Sequence, residues 1–310
     1  MLNQTNIELI YEVIDESSMI FFETINTTYL AGIVFTCENI LSQEILQDIN
    51  EDAKLKLFAL IHKIYSIDFK KEEVRKALQL SILKGLKHSN RNNQDITPDT
   101  IGIFIAYLVD KLYHNQTLKL IFDPLIGTGN LLTCIGNHIE AEVELIGVEH
   151  NEESYKLARA LFDMMDYKDN LFFQDTLTFN NIASDLIVTD FPTLDKINEP
   201  YFPYEVIKHH YHNLRNDGYF IGIIPNDFFT VSGSVAFKES IIDMWKVLGL
   251  IQLPISMFKG IGKSVLILQK CTKEELKNDV VLLAEIPSFE DQEGVQIAIK
   301  KINKWFEERT

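Results

Sequence analysis

The chain predicts an α/β fold: a doubly wound, mostly parallel sheet of seven strands that ends in an antiparallel hairpin, preceded by a helical N-terminal domain. Three observations carry this. From residue 118 onward, short apolar runs of strand length recur at regular intervals. Helical patterns separate most of those runs, as crossovers between parallel strands require. Residues 1 to about 87 instead place apolar residues at three- and four-residue spacing, with Gly and Pro almost absent.

In order along the chain, the helical domain is assigned to residues 1–90 and the sheet domain to 91–310. EDAKLKLFALIHKIYSI and KEEVRKALQLSILKGL carry the helical period, and Phe21 and Phe22 are expected in the core, a partner-binding surface being the alternative. The polar segment from Lys87 to Pro98 has no apolar period and reads as a linker or exposed loop. Thr97 and Pro98 then resemble an N-cap and a first-turn proline opening the helix DTIGIFIAYLVDKL.

The strand runs are LKLIFDP, VELIGVEH, NLFFQDT, SDLIVTD, GYFIGIIP, LGLIQLP and KSVLILQK. Several are continuously apolar, as strands covered on both faces should be. NEESYKLARALFDMMDY and SVAFKESIIDMWKVL supply helices between them. Only ISMFKGIG separates the last two runs, too little for a crossover helix, so that pair is expected to be antiparallel. SFEDQEG reads as a solvated loop before a final helix whose Trp305 and Phe306 pack on the sheet.

Composition narrows the function. Acids outnumber bases 45 to 29, a formal charge of -16, whereas proteins that grip nucleic acid unaided usually present a basic face to the phosphates. Tight autonomous DNA binding is therefore not expected; the charge serves solubility. No apolar run reaches the roughly 18 residues of a membrane span, and MLNQTNIELI lacks the order of a secretory signal. Cys37, Cys134 and Cys271 lie far apart and form no metal-type or redox-type pair, which fits a reduced cytoplasmic setting.

Chemistry concentrates at strand ends. DPLIGTGNLL, Asp123 to Leu132, follows the first run, and Gly127 and Gly129 permit a sharp strand-to-helix turn with bare backbone open to a ligand. Such a pair alone is equally compatible with a simple tight turn. Glu149 closes the second run, where an acid can bond a ribose diol, and Asp175 closes the third, where it can accept from an adenine amino group. A dinucleotide fingerprint asks for a third glycine where this chain has Leu132, and no Gly-Lys-Ser/Thr follows, which disfavours NAD and excludes a phosphate-binding loop. The fourth run ends in Asp190, Phe191, Pro192 and Thr193.

As an ordered set, Asp123 to Leu132, Glu149, Asp175 and this tetrad resemble the class I methyltransferases that use S-adenosylmethionine (SAM). The resemblance is closest to the DNA N6-adenine type and the modification subunits of type I restriction systems. It extends over about residues 95 to 270 and, in outline, over the helical N-terminus. Thr97-Pro98 matches a Thr-Pro element of that family, and GYFIGIIPNDFF and IQLPISMFKGIGKSVLILQK are also similar to it.

The resemblance implies a Rossmann-like SAM-methyltransferase sheet and SAM bound by Thr97, Asp123, Gly127, Gly129, Asn130, Glu149 and Asp175. It further implies Asp190 as acceptor for the target amine, the Phe191–Pro192 segment as the source of a backbone carbonyl acceptor, direct methyl displacement, and no metal. The family tetrad is Asp/Asn-Pro-Pro-aromatic, so Phe191 departs from it and Thr193 stands where an aromatic stacks on the flipped base. Phe191, Tyr201, Phe202 or Tyr204 are alternative platforms. The implied function is methyl transfer to an amino nitrogen, adenine in DNA foremost; the alternative is a catalytically degenerate SAM-binding scaffold or sensor. No segment reads as a target-recognition domain, so DNA methylation at a defined sequence implies a partner subunit. His209, His210 and His212 are expected on an exposed helix face, not at a metal.

Overall fold

A computed structural model describes residues 2–89, 96–193, 200–258, 262–271 and 280–309. Most of the linker, 90–95, and residues 259–261 of the ISMFKGIG loop lie outside the described residues. The helices are α1 (Gln4–Ile25), α2 (Tyr29–Ser42), α3 (Glu51–His62), α4 (Lys71–His88), α5 (Asp99–Leu112), α6 (Asn130–His138), α7 (Glu152–Met164), α8 (Phe202–His209), α9 (Ser234–Met244) and α10 (Gln292–Glu307). The strands are β1 (Leu120–Asp123), β2 (Glu144–Glu149), β3 (Leu171–Phe173), β4 (Ser184–Asp190), β5 (Leu214–Pro225), β6 (Trp245–Gln252), β7 (Lys263–Lys270) and β8 (Leu282–Glu285).

The chain forms two compact units: Met1–Ile103, Ile126–His138 and Glu149–Phe173 make the first, and Phe104–Leu125, Ile139–Val148 and Gln174–Thr310 the second. This grouping differs from a cut at residue 90, because α6 and α7 pack with the N-terminal helices. In the first unit Ile10, Ile14, Leu30, Ile33, Leu78 and Ile82 share one core with Leu157 and Leu161 of α7. The helix starts follow the sequence chemistry. Asn3, Thr28, Asn50 and Asn151 each accept a bond from a first-turn backbone N–H through the side chain. Helix α5 begins one residue later than the Thr-Pro pair suggests, with the Pro98 carbonyl accepting from Ile101 and Gly102 N.

A buried arginine ties this unit together. Arg75 on α4 is 0% exposed. It donates to Glu72 Oε2 and Oε1 at 2.7 and 2.6 Å, to Asp99 Oδ1 and Oδ2 at 2.9 and 3.0 Å, and to Asn130 Oδ1 at 2.6 Å. Those bonds use all five guanidinium N–H donors. Burial works against the charge on Arg75, but the bonds to Glu72 and Asp99 hold its pKa above the usual value. Against the burial that raises it, Arg75 holds the Asp99 carboxyl below the ordinary range.

The second unit holds seven strands of an eight-stranded sheet, in the order β2-β1-β4-β5-β7-β6-β8. The first four run parallel, and β7 enters antiparallel between β5 and β6. The antiparallel final pair is as the loop length requires. The count of seven is corrected to eight by β8, a short strand parallel to β6. Phe122, Ile187, Phe220, Phe228, Trp245 and Leu266 form the main core. Trp305 and Phe306 of α10 are buried, with Trp305 Nε1 donating to the Val280 carbonyl.

The histidines do not form an exposed face. Helix α8 stops at His209 and a 3-10 turn follows, which turns His210 inward to 0% exposure. Its Nε2 pairs with Thr176 Oγ1 at 2.8 Å and its Nδ1 with Asn213 Nδ2 at 2.9 Å. Burial, aided by the neighbouring His209, pushes its pKa down to about 3. Among the described residues no group of three or more His, Cys, Asp or Glu is placed to hold a metal ion. No single described helix is long and apolar enough to cross a membrane.

Two outcomes follow for stability. Arg75→Met strands two partly buried carboxylates and is expected to cost about 3–5 kcal/mol in urea unfolding. Folded His210 titrates near the depressed value and unfolded histidine near ~6.5, so in that interval the unfolded chain binds the extra proton. Stability therefore falls as pH is lowered through it, by up to about 1.4 kcal/mol per pH unit. His210→Gln should flatten that slope when unfolding is followed from pH 7 to pH 4.

Candidate functional site

The glycine turn has the geometry its sequence demands. Gly127 and Gly129 adopt φ of 57° and 84°, where a side chain is strained. A Cβ on Gly127 would meet nothing within 4 Å, so this peptide faces open space. A Cβ on Gly129 would lie 3.4 Å from Ala158 Cβ and Leu161 Cδ2, so this second glycine also lets α6 approach α7. Asp123, the last residue of β1, is buried and accepts from Leu125 N at 3.0 Å, which starts the turn.

Glu149 ends β2 and is buried, and its carboxylate is held by backbone. Oε2 accepts from Gly127 N at 3.0 Å, and Oε1 accepts from His150 N and Asn151 N at 2.9 and 2.7 Å. The glycine turn and the acid are thus one hydrogen-bonded assembly. Asn130, the first residue of α6, has its amide oxygen on Arg75 and donates through Nδ2 to the Thr97 carbonyl at 2.8 Å. Thr97 and Asn130 are therefore brought together, with Arg75 behind them. Asp175 behaves differently from its sequence reading: β3 ends at Phe173, and Asp175 is exposed and caps the next turn through Leu177 N. It follows the strand and does not close it.

The tetrad lies at the end of β4, in the second unit. Asp190 is the last residue of that strand, and Phe191 N continues the ladder by donating to Ile223 O at 3.0 Å. Lys263, the first residue of β7, reaches back to both. Its Nζ donates to Asp190 Oδ1 at 2.5 Å and to the Phe191 carbonyl at 3.0 Å. The side chains of Lys263 and Asp190 are 8% and 16% exposed, so this is a largely desolvated ion pair. The Lys263 backbone is fixed by Leu253 N on its carbonyl and by pairing opposite Pro225.

Three of the four candidate stacking rings, Phe191, Tyr201 and Tyr204, are buried by packing, and Phe202 is partly buried. The Phe191 ring is 0% exposed and lies 6.4 Å from both Phe220 and Phe228, in space left by Gly222, where a Cβ would stand 3.2 Å from it. Tyr201 is buried, and Tyr204 stacks on Phe237 at 3.9 Å and bonds the Phe228 carbonyl. Phe202 packs against the same core. Pro192 and Thr193 are exposed, and the following residues 194–199 lie outside the described set. Sequence reasoning missed Lys263 and Arg75. The available signal was a charge opening an otherwise apolar strand run in KSVLILQK, and for Arg75 a cation at a core-facing position of α4.

Two family models match the chain and meet at residue 86. A YtxK N-terminal helical domain matches residues 8–86, and an N-6 DNA methylase model matches residues 86–309. The chain is 30% identical to the uncharacterized protein YtxK of Bacillus subtilis (strain 168), over 98% of this chain and 99% of that one. A Listeria monocytogenes crystal structure, described as a class I S-adenosylmethionine-dependent methyltransferase, superimposes with a TM-score of 0.89 at 29% identity, covering 98% of this chain and 100% of that one. A modification subunit of a type I restriction enzyme from Vibrio vulnificus shares the fold with a TM-score of 0.62 at 15% identity, over 82% of this chain and 62% of that one. The fold is that of the class I methyltransferases, whose methyl donor is SAM. The chain belongs to the N-6 DNA methylase family.

Proposed function

We propose that this chain is a SAM-dependent methyltransferase acting on an amino nitrogen, with adenine in DNA as the acceptor. One observation carries the reading: Asp190 Oδ1 and the Phe191 carbonyl hold a single nitrogen between them. A primary amine has two N–H donors, and engaging both leaves its lone pair for bond formation. Position 191 contributes its main chain, so phenylalanine in place of proline keeps that acceptor. Were the amine to take the methyl of a sulfonium, with the S–C bond breaking as the N–C bond formed, positive charge would grow on the nitrogen beside the Asp190 carboxylate, which would stabilise it until its proton left.

The glycine turn, taken by itself, fits SAM by its donor set and its space. Gly127 leaves bare backbone beside an open volume, and the anchored Glu149 carboxylate suits a ribose diol. Thr97, Asp123, Gly129, Asn130 and Asp175 complete the proposed binding set. SAM supplies an electrophilic methyl on its sulfonium. Pro192 is assigned to the exposed rim of the acceptor site. The acidic chain argues for a partner subunit to bring DNA, and likeness to type I modification subunits supports that assignment. A cytoplasmic location goes with this proposal.

A second reading, a SAM-binding scaffold or sensor without transfer, has a specific observation behind it. The nitrogen on the two oxygens belongs to the chain itself, and no aromatic occupies the tetrad's last position.

Labelled-methyl transfer to unmethylated DNA, RNA and a protein extract separates the two. Transfer to DNA is expected, falling about 100-fold in Asp190→Ala while SAM affinity is kept. Glu149→Gln is expected to weaken SAM binding roughly tenfold to a hundredfold in calorimetry, the worth of a charge-assisted hydrogen bond. SAM binding with no label in any fraction would favour the scaffold.

A further inference from the structure

We propose that Lys263 is a built-in stand-in for the target amine: its ammonium closes the acceptor site at rest and must withdraw before an external amine enters. This rests on the amine-directed reading above and adds its regulation. The geometry is direct. Lys263 Nζ lies at 2.5 Å from Asp190 Oδ1 and 3.0 Å from Phe191 O, so a second nitrogen bonding the same two atoms would have to stand where Nζ stands. Of the titratable groups in the described site, Asp190 and Lys263 face each other and are both mostly buried.

The competition is unequal. An ammonium on a desolvated carboxylate makes charge-assisted bonds roughly twice as strong as those of a neutral amino group. An adenine amine therefore displaces Lys263 only when the lysine's charge is received elsewhere. A polynucleotide supplies both parts, a base carrying the amine and a phosphate to meet the cation, whereas a free neutral amine supplies one. Withdrawal needs no main-chain movement. The Lys263 backbone is held in the β7 ladder, while its four-carbon stem has rotatable bonds throughout. The neighbouring Ser264 Oγ is tied to Asn226 Oδ1 at 2.7 Å, so the lysine side chain is the element left to move.

The test reads acceptor occupancy apart from catalysis. Wild type, Lys263→Met and the double variant Asp190→Asn with Lys263→Met, which removes both charges of the pair, are compared in the presence of SAM. The probes are a short single-stranded oligonucleotide with one adenine and the same strand with purine, which lacks the 6-amino group. Wild type is expected to discriminate between the two strands less than either variant does, because displacing Lys263 offsets part of the gain. Each variant is expected to prefer adenine by roughly tenfold, the worth of one or two hydrogen bonds.

That preference without methyl transfer would uphold the closed site and sink the methyltransferase reading. Equal binding by both variants, or a wild type that already discriminates as strongly, would overturn the closure; wild-type transfer to DNA would still leave the methyltransferase reading standing. Methyl found on Lys263 of SAM-treated wild type by mass spectrometry would also overturn it, because the lysine would then be an acceptor.

Discussion

A cation taken out of water has to be met by oxygens, and at Lys263 that requirement decides what the end of β4 can do. The two oxygens that meet it are the Asp190 carboxylate and the Phe191 carbonyl. They stand together because β4 ends at Asp190 and Phe191 N still bonds β5, which fixes the direction of the following carbonyl. Desolvated pairs are costly to break and cheap to keep complete. The arrangement holds one nitrogen between two oxygens, the geometry proposed for the target amine, and fills it with Lys263.

Arg75 applies the same rule in the first unit. Its five donors are spent on Glu72, Asp99 and Asn130, so the first residue after the glycine turn is held from behind by a helix of the N-terminal region. Asn130 in turn secures Thr97, and Glu149 secures Gly127. Side chains that sequence reasoning treats as separate ligand contacts are thus linked by their own hydrogen bonds. The helical segment thus contributes, through Arg75, to the organisation of the glycine turn.

Much of this was legible before folding was considered. Strands are local, and seven apolar runs each became one of β1 to β7. The short ISMFKGIG connection forces an antiparallel return whatever else the chain does. Gly127 and Gly129 took positive φ because the strand-to-helix turn admits little else. Strand β8 was not legible because it is half exposed and only four residues long. Asp175 shifted for a similar reason: β3 is three residues long, and Phe172 and Phe173 are exposed instead of continuing the run. The decisive contacts were the least legible. Lys263 meets Asp190 across 73 residues and Arg75 meets Asn130 across 55, and neither pairing has a local period. The histidines misled because the α-helix gives way at His210 to a 3-10 turn, and His210 lies in the core.

Two proposals meet here: an amine-binding pair of oxygens with Lys263 as internal occupant, and a glycine turn that takes SAM. A crystal structure of the protein soaked with SAM tests that combination most directly. The account predicts donor density along the Gly127–Gly129 turn with Glu149 in contact, and Lys263 Nζ still on both Asp190 and the Phe191 carbonyl. Lysine density directed away from those oxygens, or no donor at the turn at saturating SAM, would contradict it.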